Sequence, residues 1–253
     1  MRVTVCQLPD PLLEFEDAWA RLAVHSEGSD LVVLPELPFY PWVAWTNQYE
    51  ADVWDEAVAA HQKWMSRLNE LGARAVVGSA AVGARGADRR NRAFVWDEGE
   101  LTMSHEKYYL PEEPGFWEAS WYERGEGTFE ATRAAGHDVG FLLCTEMWFT
   151  DRAREYARQG IRLLFTPRVT EGRTADKWIA GGRSAAVMSG AFSLSSNRVG
   201  SNNGVDFGGV GWVIDPDGEV LATTSLEDPF VTVEIDPSAA DGAKSTYPRY
   251  VPE

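Results

Sequence analysis

Three side chains of the sequence combine reactive types with positions at which α/β proteins place catalytic groups. Glu36 follows the apolar run DLVVLP, Cys144 follows GFLL, and Lys107 follows residues 100–103, which are predicted to form a strand. Functional sites of α/β folds gather at the carboxyl ends of strands. A thiol needs a base or a positive charge nearby to become a thiolate at neutral pH, so this set predicts nucleophilic catalysis by the cysteine.

Each of these residues also has a simpler interpretation. Taken singly, Glu36 is as consistent with a surface carboxylate as with a catalytic one, whereas a solvated amine is the favoured interpretation of Lys107 and a small buried apolar group that of Cys144. Cys6 lies inside a predicted strand and is interpreted as structural. His105, two residues before Lys107, is the one rival base, because the other three histidines fall in helices or in a turn. We therefore favour a Glu–Lys–Cys set over a Cys–His dyad.

The elements that must position these side chains alternate between strands and helices. Helices are indicated by apolar residues at spacings of three and four, with Thr150 as the predicted N-cap of the third helix, and buried strands by short apolar runs. Helices are predicted at residues 14–26, 53–71, 151–159 and 177–189. Strands are predicted at residues 3–7, 30–35, 75–82, 93–96, 100–103, 140–143, 161–165, 191–196, 209–215, 219–224 and 231–235. This order predicts one α/β domain over residues 1–253, with a loop or arm from about residue 237 onward.

Composition excludes several classes of function. The 253 residues include 39 acidic and 23 basic side chains, which gives a formal net charge of −16. Nucleic acids and anionic membranes are recognised by clustered lysine and arginine, so neither is expected as a partner. Two cysteines exclude a disulfide framework or a cysteine-rich zinc site, and no other metal-ligand set or cofactor is expected. Without a secretory signal or a membrane-length apolar run, the protein is predicted to be cytoplasmic.

Four segments resemble the nitrilase superfamily of carbon–nitrogen hydrolases, in the order that the family shows. LVVLPELPFYPW contains Glu36, NRAFVWDEGELTMSHEKYYLP leads to Lys107, and GFLLCTEMWFTDRAREYARQGIRLLFTPR contains Cys144. SSNRVG followed by GWVIDPDGEVLAT is similar to the family's late segment. The resemblance implies a four-layer αββα sandwich and assembly into a homodimer or a larger homo-oligomer.

The resemblance also implies a reaction. Cys144 would attack the carbon of a small amide, carbamoyl or nitrile group and form a thioester, with release of ammonia or an amine. Glu36 would act as general base and then general acid, and protonated Lys107 would stabilise the thiolate and the oxyanion. The backbone N–H of Thr145 is a second candidate oxyanion donor. No metal is required for this chemistry.

A second glutamate near the lysine is common in the family. Glu118 is assigned to this place, because its distance from Glu123 and the turn at Gly125 resembles the family pattern. Glu112 and Glu113 lie in the same Pro- and Glu-rich stretch and remain alternatives.

Two departures from the family pattern leave the substrate open. Thr145 and Glu146 follow the cysteine where amidase-like members have an aromatic residue and an aspartate, and Cys-x-Glu is closer to the nitrile-cleaving branch. The helix GGRSAAVMSGAF retains Arg183 but lacks the usual acid–amide pair. Hydrolysis of a small amide or carbamoyl compound is the leading hypothesis. A nitrilase, an acyl transferase to an amine and a catalytically silent binding protein are alternatives.

The eleven tryptophans of the chain bear on the size of the substrate. Five of them lie within about a dozen residues of a proposed catalytic residue: Trp42, Trp45, Trp117, Trp121 and Trp148. Substrate contacts are predicted for Thr145, Trp117, Trp121 and Trp148, which would favour a bulky apolar acyl group, with core packing as the alternative. Three basic residues are weaker candidates for binding a substrate carboxylate: Arg168, Arg173 and Lys177.

Overall fold

The computed structural model describes residues 1–10, 12–84 and 87–251. Its strands are β1 (Arg2–Pro9), β2 (Leu31–Val33), β3 (Ala75–Ala84), β4 (Ala87–Asp97), β5 (Glu100–Glu106), β6 (Thr132–Ala134), β7 (His137–Phe141), β8 (Leu163–Phe165), β9 (Phe192–Ser195), β10 (Asn197–Asn202), β11 (Val205–Phe207), β12 (Trp212–Ile214), β13 (Val220–Thr223) and β14 (Phe230–Glu234). Its α-helices are α1 (Leu12–Ser26), α2 (Ala51–Met65), α3 (Glu118–Trp121), α4 (Thr150–Arg158), α5 (Ala175–Ser189) and α6 (Ala239–Ala243). Short 3₁₀ helices cover Val43–Trp45, Leu68–Leu71, Cys144–Trp148 and Gly172–Thr174.

The strands form two sheets. The first has the order β11-β10-β1-β2-β3-β4-β5, and β14 also pairs with β1. The second has the order β13-β12-β9-β8-β7-β6. The central pairs β1·β2, β2·β3, β7·β8 and β8·β9 are parallel, so in each sheet these strands end at the same edge. The segments that follow β2, β7 and β8 therefore lie at the carboxyl-terminal edges of their sheets, where α/β folds place their functional sites.

The two sheets pack face to face between layers of helices. Side chains alternate along each strand, so Leu31 and Val33 join the core between the sheets, and Val32 and Leu34 join a second core. That second core packs against α1 and the end of α2. A further core joins the outer face of the second sheet to α4 and α5. The order helix, sheet, sheet, helix confirms the predicted αββα sandwich.

Each of the four predicted helices differs from the observed helix by one to six residues at one end or both, and two of these differences have a visible cause. The predicted helix 53–71 ends at Met65, where the Ser66 hydroxyl donates to the Lys63 carbonyl at 2.7 Å and competes with the helical hydrogen bonds. Thr150 is the first residue of α4 instead of its N-cap, and Phe149 occupies the cap without a side-chain hydrogen bond. The Phe149 ring stacks on Tyr109, so aromatic packing fixes the start of this helix.

The segment expected to be a loop or arm contains α6 and packs on the body of the protein. The Lys244 ammonium group donates to the carbonyls of Ile161 and Gly190, at 2.6 and 3.2 Å. The Arg249 guanidinium donates to the carbonyls of Val187 and Pro216. These contacts join the segment to the loops around α5.

Candidate active site

Glu36, Lys107 and Cys144 each follow the end of a strand, and all three are buried. Glu36 lies three residues beyond β2, Lys107 directly follows β5, and Cys144 lies three residues beyond β7. The carboxyl and ammonium groups are fully buried, and Cys144 is 3% exposed. The structure thus removes the two ionisable partners of the cysteine from water.

The Lys107 ammonium group bridges two carboxylates. Its Nζ lies 2.7 Å from Oε1 of Glu36 and 2.8 Å from Oε1 of Glu118. Asn91 on β4 donates to the same Glu36 oxygen at 2.7 Å, and the Tyr122 hydroxyl donates to Oε2 of Glu118. The sequence prediction assigned no role to Asn91 or Tyr122, although the family-like segment NRAFVWDEGE begins with Asn91.

Only one oxygen of the Glu36 carboxylate is held by these contacts. Glu36 Oε2 is buried and has no hydrogen-bond partner among the described residues. The backbone is held on both sides, because the Glu36 N–H donates to the Arg168 carbonyl at 3.3 Å and Arg198 Nε donates to the Glu36 carbonyl at 3.0 Å. Glu36 therefore presents a fixed, unoccupied oxygen that can accept a proton.

Cys144 lies at a sharp turn between β7 and a 3₁₀ helix. Its φ angle is +50°, a left-handed conformation that costs a non-glycine residue roughly 1–3 kcal/mol. The Cys144 N–H donates to the Pro167 carbonyl at 3.0 Å, and Sγ lies 3.7 Å from the Val169 carbonyl oxygen. The segment that follows β8 thus holds the cysteine in the strained conformation.

A small cavity of about 110 Å³ opens beside Cys144. Apart from Cys144 and Glu118, its walls are formed by Pro111, Glu113, Phe116, Thr145, Val169, Thr170, Glu171, Thr174 and Trp178. Thr145 is the one predicted substrate-contact residue in this wall. Trp178 on α5 was not predicted to contact the substrate.

The three predicted substrate-contact tryptophans lie elsewhere, outside the described residues that line the cavity. Trp121 is buried and donates from its indole N–H to the Thr46 carbonyl at 2.6 Å. The backbone N–H of Trp117 donates to the Ala44 carbonyl at 2.8 Å. Trp148 is 46% exposed, and its ring centroid lies 5.1 Å from that of Trp178. Trp121 therefore belongs to the core, and Trp148 packs beside the cavity residue Trp178.

The alternatives to Glu118 lie apart from the lysine contacts described above. Glu112 accepts hydrogen bonds from the Ser120 hydroxyl and N–H, at 2.6 and 3.1 Å, and so fixes the short helix α3. Glu113 is exposed and lines the cavity. Of the three candidates, the structure brings Glu118 to Lys107.

The carbon–nitrogen hydrolase family model matches residues 2–245 of the chain. The chain belongs to the carbon–nitrogen hydrolase family. It is 26% identical to the 2-oxoglutaramate amidase of Bacillus subtilis (strain 168) over 234 residues, which cover 89% of this chain and 85% of that protein.

Solved structures of carbon–nitrogen hydrolases share the fold. The enzyme from Helicobacter pylori G27 superposes with a TM-score of 0.84 at 21% identity, over 99% of this chain and 94% of that chain. A Glu-to-Gln mutant of the amidase from Nesterenkonia sp. AN1, with the acetamide moiety of fluoroacetamide added covalently at its active-site cysteine, gives a TM-score of 0.79 at 22% identity, over 95% of this chain and 92% of that chain. These findings confirm the nitrilase-superfamily resemblance and the fold class.

Burial and charge set the protonation of the site in this hydrolase. Burial alone would lower the pKa of Lys107, but Glu118 and Glu36 outweigh it and raise that pKa, so the ammonium form is kept. Burial raises the pKa of Glu118, Lys107 opposes this, and Glu36 adds to the rise. Burial and then Glu36 raise the pKa of the Cys144 thiol, while Lys107 lowers it. The resting cysteine is therefore a thiol that needs a base.

Glu146, two residues after the cysteine, is not among the described residues that line the cavity. Its carboxylate accepts from the Leu143 N–H at 2.8 Å, from the Tyr108 N–H at 2.7 Å and from His105 Nε2 at 2.7 Å. His105 Nδ1 lies 3.1 Å from the Thr128 carbonyl oxygen, so both ring nitrogens face acceptors and the ring is an imidazolium. The buried His105–Glu146 pair joins β5, which directly precedes Lys107, to the 3₁₀ helix that begins at Cys144.

Metal-binding clusters and membrane-spanning helices are both absent from the part of the chain that the structure describes. Within residues 1–10, 12–84 and 87–251, no group of three or more histidine, cysteine, aspartate or glutamate side chains is placed to hold a metal ion. None of the helices in the described part of the chain combines the length and the apolar character needed to cross a membrane.

Proposed function

We propose that this carbon–nitrogen hydrolase cleaves a small amide or carbamoyl compound to an acid and ammonia or an amine, through a thioester on Cys144. The observation that carries the proposal is the free Oε2 of Glu36, fixed in a buried site with Lys107 and Cys144. Two relatives support it: the covalent adduct of the Nesterenkonia mutant shows that the active-site cysteine of that amidase is nucleophilic, and the name of the Bacillus relative states an amide substrate.

In the first half-reaction, Glu36 Oε2 accepts the thiol proton of Cys144 and Sγ attacks the carbonyl carbon. The new C–S bond places a negative charge on the carbonyl oxygen, which the Lys107 ammonium group and the Thr145 N–H stabilise. Glu36 then donates its proton to the leaving nitrogen, the C–N bond breaks, and the acyl group remains on sulfur.

In the second half-reaction, Glu36 removes a proton from a water molecule that attacks the thioester carbon. The tetrahedral intermediate collapses, the C–S bond breaks, and the acid leaves. The thiolate regains its proton from Glu36, which restores the starting state. Glu118 holds the Lys107 ammonium group in place during both half-reactions, because its Oε2 lies 2.6 Å from Lys107 Nζ.

The cavity limits the acyl group. Its volume of about 110 Å³ is well below the roughly 300–1,000 Å³ of pockets for drug-sized ligands. Phe116, Val169 and Trp178 offer apolar walls, and Thr170 and Thr174 offer hydroxyl groups. A short acyl chain therefore fits better than the bulky group expected from the positions of the tryptophans.

The nitrilase alternative gains no support from the site. Its one sequence argument was the Cys-x-Glu pattern, and Glu146 is bound to His105, Leu143 and Tyr108 instead of lining the cavity. The position of Glu146 therefore does not indicate whether the substrate is an amide or a nitrile.

Ammonia release tests the proposal. Short aliphatic amides, N-carbamoyl amines and the matching nitriles are offered to the wild type and to Cys144→Ala, Lys107→Met and Glu36→Gln. We expect turnover of an amide or carbamoyl compound, with a loss of about 10³-fold or more in each variant. Cys6→Ala is the matched control and keeps its activity, because Cys6 lies in the core. Full activity of Cys144→Ala, or turnover of nitriles alone, would contradict the proposal.

A further inference from the structure

Arg168 is a buried cation without a carboxylate partner. It directly follows the segment β8–Thr166–Pro167 and has no solvent exposure. Its guanidinium donates to the Ser195 hydroxyl at 2.8 Å, to the Thr170 hydroxyl at 3.0 Å and to the Val210 carbonyl. No ion pair joins it to a carboxylate in the part of the chain that the structure describes. An unpaired charge in such a place is costly, so its presence needs a reason.

The other buried charges of the protein give a reason for the burial of Arg168. Among the described residues, four buried carboxylates belong to Asp10, Glu36, Glu118 and Glu146. The four buried cations are His105, Lys107, Arg168 and Arg198. His61 is also buried, but burial lowers its pKa to about 3, so it is neutral. The charges of the buried interior therefore cancel only when Arg168 is included.

The direct pairs show where the excess lies. Arg198 pairs with Asp10, and His105 with Glu146. When both carboxylates are ionised, Lys107 alone serves Glu36 and Glu118, which leaves one surplus negative charge at the catalytic centre. Burial and the Glu36 carboxylate raise the pKa of Glu118 to about 7, against the opposing effect of Lys107, so the surplus develops fully above that pH. Arg168 is the buried cation that remains.

Arg168 also lies in the segment that holds the nucleophile and the base. Its carbonyl accepts from the Glu36 N–H, and the carbonyls on either side of it contact Cys144 N and Cys144 Sγ. Burial lowers the pKa of Arg168, and the charged forms of Cys144 and Glu36 oppose this effect. The guanidinium also stacks on Trp212, with 4.0 Å between Cζ and the ring centroid, and contacts the cavity residue Thr170.

We propose that Arg168 is a positioning residue that balances the surplus carboxylate of the Glu36–Lys107–Glu118 group and thereby favours the thiolate of Cys144. The role rests on the proposed function of this site. The balance holds during the reaction, because the thiol proton moves to Glu36 within the same group of residues. Burial lowers the pKa of Arg168 to about 9, which still leaves the guanidinium charged at neutral pH.

The ionisation of the thiol tests the charge of Arg168 directly. The rate of Cys144 alkylation by iodoacetamide is measured against pH, with peptide masses to separate Cys144 from Cys6. We expect Arg168→Met to move the midpoint of the profile upward by about one pH unit. We expect Arg168→Lys, which keeps the charge and loses the planar fork, to move it by less than half as much. An alkylation profile of Arg168→Met that overlays the wild type would overturn the proposal.

Arg133→Met is the matched control for the removal of an arginine. Arg133 is exposed and pairs with Asp138 at the surface, so its loss leaves the alkylation profile unchanged. A shift in this variant as large as that in Arg168→Met would show that the effect is general and would also overturn the proposal.

A charge-restoring double variant covers the case in which Arg168→Met folds but is too unstable for alkylation across the whole pH range. Arg168→Met combined with Glu118→Gln removes both the cation and one surplus carboxylate, so we expect it to melt at a higher temperature than Arg168→Met alone. Equal or lower stability of the double variant would mean that Arg168 has only a packing role. Neither readout requires turnover. If the chain hydrolyses no amide, the proposed function fails, while the alkylation profile and the melting temperatures still decide the role of Arg168.

Discussion

Two carboxylates around one ammonium group define the site at the scale of the residue. Burial and Glu36 raise the pKa of Glu118, and Lys107 opposes them, so Glu118 holds its proton to a higher pH than an ordinary glutamate. Protonation of either carboxylate weakens its ion pair with the Lys107 ammonium group. The pH dependence of activity should therefore report the pair as a unit.

Glu118→Gln should lower kcat/KM by about 10- to 100-fold at the pH optimum, because Lys107 loses one of its two charged partners. The acid limb of the pH profile should also move to lower pH, because the variant lacks the carboxyl group of Glu118, whose pKa burial raises. A pH series of ammonia release measures both effects.

Glu112→Gln is the control for this prediction. Glu112 is exposed and contacts only Ser120 in the hydrogen bonds described here, so its replacement should leave the profile in place. An unchanged acid limb in Glu118→Gln, or an equal loss in Glu112→Gln, would show that Glu118 has been assigned the wrong role.

The reactive residues could be predicted from the sequence more readily than the residues that position them or line the cavity. Glu36 and Cys144 follow apolar runs, and such runs mark strand ends without any knowledge of the fold. The tryptophans were predicted from their distance along the chain, which does not determine the direction of a side chain: Trp121 points into the core, whereas Trp178, more than thirty residues from Cys144, reaches the cavity. The pairing of His105 with Glu146 joins residues 41 positions apart and has no local signal.

At the scale of the element, the His105–Glu146 pair joins β5 to the 3₁₀ helix that begins at Cys144. Burial would lower the pKa of His105, but Glu146 outweighs it and the pKa is raised above its ordinary value of 6.5. A raised histidine pKa contributes stability that is fully present below pH 6.5 and is lost as the pH rises through the higher folded-state value. The pair should therefore stabilise this junction most at mildly acidic pH.

Glu146→Gln should lower the free energy of unfolding by about 3–5 kcal/mol at pH 6, because it leaves a buried imidazolium without its charged partner. His105→Gln should flatten the decline in stability between pH 6 and pH 9. Urea unfolding across this range measures both. The exposed pair Arg133–Asp138 is the control, and Asp138→Asn should cost less than about 1 kcal/mol with the pH dependence of the wild type. A wild-type pH dependence in His105→Gln would contradict the assignment.

Helix α5 lies close to the second sheet at Gly182. A Cβ atom at this position would lie 2.7 Å from two atoms of the buried Trp212 ring, which in turn stacks on Arg168. Gly182→Ala should therefore destabilise the protein by about 1–3 kcal/mol, despite the better helix propensity of alanine. Thermal unfolding measures the change.

Gly242 on α6 provides the matched control. A Cβ atom there would meet nothing within 4 Å, so Gly242→Ala should be neutral or stabilising by up to about 1 kcal/mol. Equal melting temperatures for the two variants would show that the contact between α5 and Trp212 is not tight.

At the scale of the whole molecule, the dominant property is the net charge of −16. The cavity adds Glu113 and Glu171 to its wall, and no lysine or arginine is among its described lining residues. A negative field slows the approach of anions, and salt screens it. The homo-oligomeric assembly and the cytoplasmic location implied earlier stay predictions.

The kcat/KM of an anionic amide should therefore depend on the salt concentration, whereas that of a neutral amide should not. Between about 10 and 300 mM salt, kcat/KM for the monoamide of succinic acid should rise several-fold, whereas that of the uncharged analogue 4-oxopentanamide should stay constant. For an amide that is bound without turnover, the inhibition constant gives the same information. Equal salt dependence for the two compounds would contradict the role of the field.

The proposed reaction depends on a thioester at Cys144, which mass spectrometry can detect. Wild-type protein turning over a short amide is quenched in acid, digested and analysed by mass spectrometry. We expect the peptide containing Cys144 to gain the mass of the acyl group and the peptide containing Cys6 to stay unmodified, and we expect Cys144→Ala to show neither adduct nor ammonia release. Ammonia release by Cys144→Ala, or an adduct at another residue in the wild type, would rule out this reaction.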